Sequence, residues 1–195
     1  PCEEAARRVL DAARAAPELF QPVLVDSLVE LASDTADPAA LEALHALVRA
    51  GRCPPRLALD AAIAALFLQR SVQAGRLFAL LEPALTVADI RRVVGRLIEL
   101  TSGGEDWPWE LPVSSDGLRA AARVDLATVT DRVIEHLASD DERTRQVGAC
   151  AAEDLLAVDP TRILVLGPPL AGSIRGEDAG YAGTPHPTSA ALRAL

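Results

Sequence analysis

The chain has 195 residues, 50% of them hydrophobic and 24% charged, with a formal net charge of −9. That length is enough to bury a core, and no apolar run reaches the roughly 18 residues that a membrane-spanning helix needs. The acidic balance argues against a nucleic-acid partner, whose phosphates require a cationic face.

Alanine and leucine carry the packing and aromatic residues make up only 3%, a composition that favours helices over strands. Lysine and methionine are absent, and the chain closes inside a helical pattern at Leu195. It is therefore expected to be a segment of a longer protein. Cys2, Cys53 and Cys150 are few, odd in number and far apart, and read as reduced packing residues of a cytoplasmic protein.

A first helix is expected from Glu3 to Ala16, with acids in its first turn and Pro17 as its stop. Pro22 to Ser33 forms its partner. Asp37-Pro38 is a cap followed by proline at the first helical position, where the missing amide costs nothing. The helix it opens runs to Gly51, with Leu41, Leu44, His45 and Val48 on one stripe. Pro54-Pro55 open the next. Its stretch from Leu57 to Leu68 is apolar nearly all round, as in a helix covered on several sides. Ser71 to Leu81 is shorter and ends near Pro83.

Thr86 to Gly103 is the best-marked helix. Thr86 caps it, Asp89 completes a capping box, and Gly103-Gly104 end it. Ile90, Val93, Val94 and Leu97 follow the 3.6-residue period, and Arg91, Arg92, Arg96 and Glu99 fall off that stripe. Residues 102–114 break the pattern as a loop rich in glycine, proline and tryptophan. Ser115 to Arg123 is a short helix, and Asp125 caps the next through Leu137. Asp141 to Val158 follows, with Val147, Ala151, Leu155 and Val158 facing inward. Pro160 opens its partner, which Gly167-Pro168-Pro169 should break or kink. Residues 176–187 read as a mobile loop, and Thr188 or Ser189 as the cap of a final helix.

The triplet Val93, Leu97, Leu100 recurs along the chain. Thirty-four residues earlier lie Leu59, Ile63 and Leu66, and thirty-five before those lie Leu24, Leu28 and Leu31. Thirty-seven residues later the slots hold Thr130, Ile134 and Leu137. Leu31-Ala-Ser-Asp34 returns as Leu137-Ala-Ser-Asp140. A period of ~35 residues is the signature of stacked helix pairs, each unable to bury its apolar face alone.

Leu137 to Leu156, LASDDERTRQVGACAAEDLL, resembles a HEAT repeat: a leucine ending one helix, an acidic turn, then an arginine followed by small residues. The resemblance is most specific over Asp125 to Val158, and the periodicity extends it over most of the chain. It implies an all-α solenoid of about five stacked antiparallel pairs, a single array over residues 1–195. In that family a turn aspartate and a following arginine often form a ladder between repeats. Asp141 and Arg145 match those positions, while the turn after Leu31 lacks the arginine. The second helix of each pair would line the inner face, which here implies Asp26, Glu30, Asp60, Arg92, Arg96, Glu99, Arg132 and His136.

No residue cluster points to catalysis or to a cofactor. His45, His136 and His186 are scattered, without the convergent ligands of a zinc site, and His45 reads as a packing histidine. The turn from Ser139 to Glu142 lacks the alternating ligands and glycine of a calcium loop. Gly103-Gly104 is no phosphate cradle, because no Gly-Lys-Ser/Thr follows. Glu153-Asp154 reads as a solvated face, since adjacent helical residues diverge.

Arg91, Arg92 and Arg96 make the best basic cluster, read as an exposed face. Trp107-Pro108-Trp109 is either a lid over helix ends, with at least one ring buried, or an anchor for a partner. The expected function is a non-catalytic scaffold for a protein or peptide partner, using Arg92, Arg96, Glu99, Arg132, His136, Trp107 and Trp109. No metal, cofactor, nucleic acid or membrane enters that reading. The rival class is an enzyme of the HEAT-like kind, resembling DNA glycosylases or bilin lyases. It would require a basic groove or a chromophore pocket.

Overall fold

The computed structural model describes residues 2–68, 72–101 and 115–173. Among them every regular element is a helix. The chain divides into two compact units, Pro1–Leu85 and Thr86–Leu195, and each is described by itself.

The first unit holds α1 (Cys2–Ala15), α2 (Pro22–Thr35), α3 (Pro38–Arg49), α4 (Pro55–Leu68) and α5 (Val72–Leu80). Local chemistry sets their ends. Asp37 accepts from the Ala40 amide at 2.8 Å, so α3 starts on a capped first turn with Pro38 at its head. Its far end closes through Gly51 at φ +68°, where the Arg52 amide reaches back to the Leu47 carbonyl at 2.8 Å. A side chain is strained in that conformation and glycine is not.

Packing in this unit skips one helix at a time. α1 lies on α3 and α3 on α5, while α2 lies on α4; α2–α3 and α4–α5 contacts join the two rows. α4 is flanked by α2, α3 and α5, and buries Leu59, Ile63 and Leu66 completely. Each such side chain contributes about 1.5–3 kcal/mol through removal of apolar surface from water.

The second unit holds α6 (Val87–Glu99), α7 (Ser115–Val124), α8 (Leu126–Leu137), α9 (Glu142–Val158) and α10 (Ile163–Ser173). The same alternation recurs, with α6 on α8, α8 on α10 and α7 on α9. α6 carries the full capping box. The Thr86 hydroxyl accepts from the Asp89 amide at 3.3 Å, and the Asp89 carboxylate accepts from the Thr86 amide at 3.0 Å. Val93, Leu97 and Leu100 are all buried. Three aspartates cap the later helical turns in one manner. Asp125, Asp141 and Asp159 each accept from the amide and the hydroxyl of a threonine two or three residues on.

Two expectations are corrected. The recurring triplet predicts Leu24, Leu28 and Leu31 in the core, yet Leu24 is 50% and Leu31 43% exposed. α2 buries Val25, Leu28 and Ala32 instead, because α3 and α4 lie against a face rotated from the one the repeat marks.

Of the break or kink expected at Gly167-Pro168-Pro169, the break does not occur, and α10 runs through both prolines. The amides they remove would have served the carbonyls four residues back, at Leu164 and Val165. Both residues are exposed, so water can take those acceptors.

Asp141 and Arg145, the two residues that match the family's ladder positions, are each engaged within their own turn. Arg145 is 4% exposed and donates from Nη1 to the Ser139 and Asp140 carbonyls at 3.2 and 2.8 Å. It thereby closes its own turn, while Asp141 is occupied as a cap. The loops at 102–114 and 176–187, Thr188 and Ser189 lie outside the described residues.

Candidate functional site

The sequence-marked residues Arg92, Arg96, Glu99, Arg132 and His136 all lie in the second unit, on α6 and α8. Arg92, Arg96 and Glu99 stand at i, i+4 and i+7, one stripe of α6. The stripe points away from the core because Val93, Val94, Leu97 and Ile98 take the buried side. Arg96 donates to Glu99 at 3.1 Å along the helix. Arg132 pairs with Glu135 one turn on, and His136 Nδ1 lies 2.8 Å from the Arg132 carbonyl.

The two helices pack against each other, and Gly95 sets how Arg132 lies. A Cβ built on Gly95 would meet the Arg132 guanidinium at 3.8 and 3.9 Å. The arginine of α8 therefore rests beside the gap that glycine leaves in α6. The result is a charged strip of mixed sign. Two cations are matched by carboxylates on their own helices, and Arg92 is exposed beside them. Surface pairs of this kind contribute about 0–1 kcal/mol to stability. Arg91 stands off the strip and its charge reaches Asp125, the cap of α8. Trp107 and Trp109 lie outside the described residues.

Two features of this unit escaped the sequence reading. Gly148 is buried where α9 crosses α8: a Cβ there would sit 2.9 Å from His136 Cβ and 3.0 Å from the Leu137 amide nitrogen. Glycine is the residue that permits the crossing. A glycine inside a helix is the signal that could have marked it, since glycine there costs about 1 kcal/mol relative to alanine.

The second is an ion pair. Arg119 of α7 holds Asp154 of α9 through Nη2 at 2.8 Å and Nε at 3.0 Å. Asp154 is 6% exposed, so the reading of Glu153-Asp154 as a solvated pair is corrected. A step of about 100° between neighbours turns Glu153 to water and Asp154 to α7. Burial raises the Asp154 carboxyl above the usual carboxylate range, against the lowering effect of the Ser115 hydrogen bond and of Arg119. The pair joins two helices and its acid is closed off from solvent, so its role is structural.

In the first unit, His45 is half-buried on α3. Burial first, then the charges of Arg49 and Arg76, lower its pKa from 6.5. Cys53 is buried, and desolvation, with Asp26 adding to it, pushes its thiol up to about 11. It is protonated at neutral pH and a poor nucleophile. Among the described residues no group of three or more His, Cys, Asp or Glu side chains is placed to hold a metal ion. None of the described helices is long and apolar enough to cross a membrane.

Comparison of the chain with protein-family models, with curated proteins and with solved structures gives no match.

Proposed function

We propose that this chain is a non-catalytic, protein-binding array of stacked antiparallel helix pairs of the HEAT-like kind, and that a protein or peptide partner lies along α6 and α8. The observation that carries the reading is the alternating packing. In each unit a helix lies on the helix two positions along the chain, which yields two rows. Rows of that kind are what repeated helix pairs produce when each buries its apolar face against the next. Side chains on the outer faces of such rows can meet a partner, and on α6 and α8 these include Arg92, Arg96, Glu99, Arg132 and His136. Their mixed charges suit recognition by sign complementarity around a few buried anchors.

The test reverses charge at two of these positions. R92E/R96E should bind a partner captured by the native chain at least about tenfold more weakly, as loss of one or two interfacial charge pairs implies. Its melt should fall only modestly, because Arg92 is exposed and a surface pair such as Arg96–Glu99 contributes about 0–1 kcal/mol. A low-salt titration with duplex DNA is run beside it. Tight duplex binding that falls steeply with salt would overturn the scaffold reading, since that is the mark of counterion release from phosphates.

A further inference from the structure

α2 leaves an apolar seam in water beside a row of carboxylates. Leu24 and Leu31 are 50% and 43% exposed. They stand seven residues apart, two turns along one side of the helix. The core residues Val25, Leu28 and Ala32 lie about a quarter-turn to one side of that seam. About a quarter-turn to the other side run Val23, Glu30 and Asp34, all exposed.

α2 carries no cation. Among the described residues neither Glu30 nor Asp34 has an ion pair. Asp26, farther round the helix, has none either. Leucines one heptad apart form a seam on which a second helix can lay apolar residues of the same spacing. The flank on which a covering helix would rest carries Glu30 and Asp34 and no cation of α2.

We infer that this face of α2 is a docking site for an amphipathic helix of a partner protein, its leucine-type residues laid on Leu24 and Leu31 and its arginine or lysine flank set against Glu30 and Asp34. The charge decides among occupants. A second copy of the chain would bring the same carboxylates against each other, in a molecule already at −9. An anionic membrane or a nucleic acid would meet the same repulsion. A helix with a basic flank is drawn in by charge and held by burial of the leucines. The inference rests on the reading of the chain as a protein-binding module and uses none of the α6 and α8 residues.

The experiment uses two labelled synthetic helices with one leucine pattern, one with arginine and one with glutamate on the flank. Each is titrated into the whole chain by fluorescence anisotropy. The native chain should bind the arginine peptide at least about tenfold more tightly than the glutamate peptide, a gap that should narrow as salt rises. L24S/L31S should weaken the arginine peptide by a similar factor. E30Q/D34N should weaken it less and flatten its salt dependence.

L164S alters an exposed leucine of the second unit and should bind as native does. Circular dichroism melts of every variant check that the helices persist, and the half-exposed positions chosen make that the expected outcome. No binding of the arginine peptide, equal binding of the two peptides, or native-like binding by L24S/L31S would each overturn the inference. So would sedimentation showing a dimer of the native chain that L24S/L31S abolishes, since the occupant would then be a second copy. Failure of R92E/R96E to affect a captured partner would count against the α6 and α8 surface alone.

Discussion

Gly148 and Gly95 both sit inside helices, where alanine is intrinsically preferred by about 1 kcal/mol. Their surroundings make opposite forecasts. At Gly148 a methyl group would press on His136 Cβ at 2.9 Å and on the α8 backbone at 3.0 and 3.2 Å, and backbone cannot swing aside. At Gly95 it would meet only the flexible end of Arg132, at ordinary contact distance. G148A is expected to destabilise the chain by about 1–3 kcal/mol through overpacking. G95A is expected to stabilise it by about 0.5–1 kcal/mol. Urea unfolding of the two variants checks this, and a shift of the same sign in both would contradict the close α8–α9 crossing.

At the scale of the element, α6 unites a marked start and a marked face. Thr86 and Asp89 satisfy each other's backbone amides, and Leu97 is wholly buried. L97A should cost about 2–5 kcal/mol, because the cavity it leaves in a packed interior collapses only partly. R91A lies on the exposed side and should change stability by less than about 0.5 kcal/mol. Denaturant melts of the two separate the faces, and equal losses would mean that α6 is rotated away from the phase that buries Leu97 and exposes Arg91.

α2 and α10 show where local reading meets its limit. α2 has a clear period, but which side α3 and α4 would cover is not written in it. α10 has two interior prolines, but its exposed side lets water replace the hydrogen bonds they remove.

For the whole molecule, stability against pH combines groups of opposite sign. The pKa of His45 lies below 6.5 in the fold, so the unfolded chain takes up its proton first as pH falls. Stability is then highest above 6.5, declines as pH falls toward the folded value, and loses nothing more from this group below it.

Asp125, Asp141 and Asp159 are held below 3.8, first by the hydroxyls and then by the amides of Thr128, Thr144 and Thr161. Their contribution is intact above 3.8 and is lost as pH falls through the lowered values. Asp154 runs the other way: burial disfavours its ionised form, and that penalty is relieved as pH falls through its raised value toward 3.8. Between about pH 7.5 and about pH 5.5, the range in which histidine titrates, the native chain should lose stability. H45Q should lose less. Equal losses in paired urea melts would remove His45 as the cause.

Much of the chain's local order is written in short stretches. Asp37-Pro38, Thr86 with Asp89, Asp125 and Asp141 start their helices with partners at most three residues away, so no distant contact is needed to read them. The stripe of Arg92, Arg96 and Glu99 is legible for the same reason, as a product of helical period and charge. Tertiary structure decided what period alone leaves open. It turned Leu24 and Leu31 to water while keeping Leu59, Ile63 and Leu66 inside, although all occupy matching slots of the repeat. It drew Asp154 into an ion pair with Arg119, thirty-five residues away, and laid Arg132 beside Gly95. The physical reason is common to these cases: a helix's sequence fixes where it starts and which residues share a side, but burial belongs to whichever neighbour arrives, and that neighbour is chosen by contacts far along the chain.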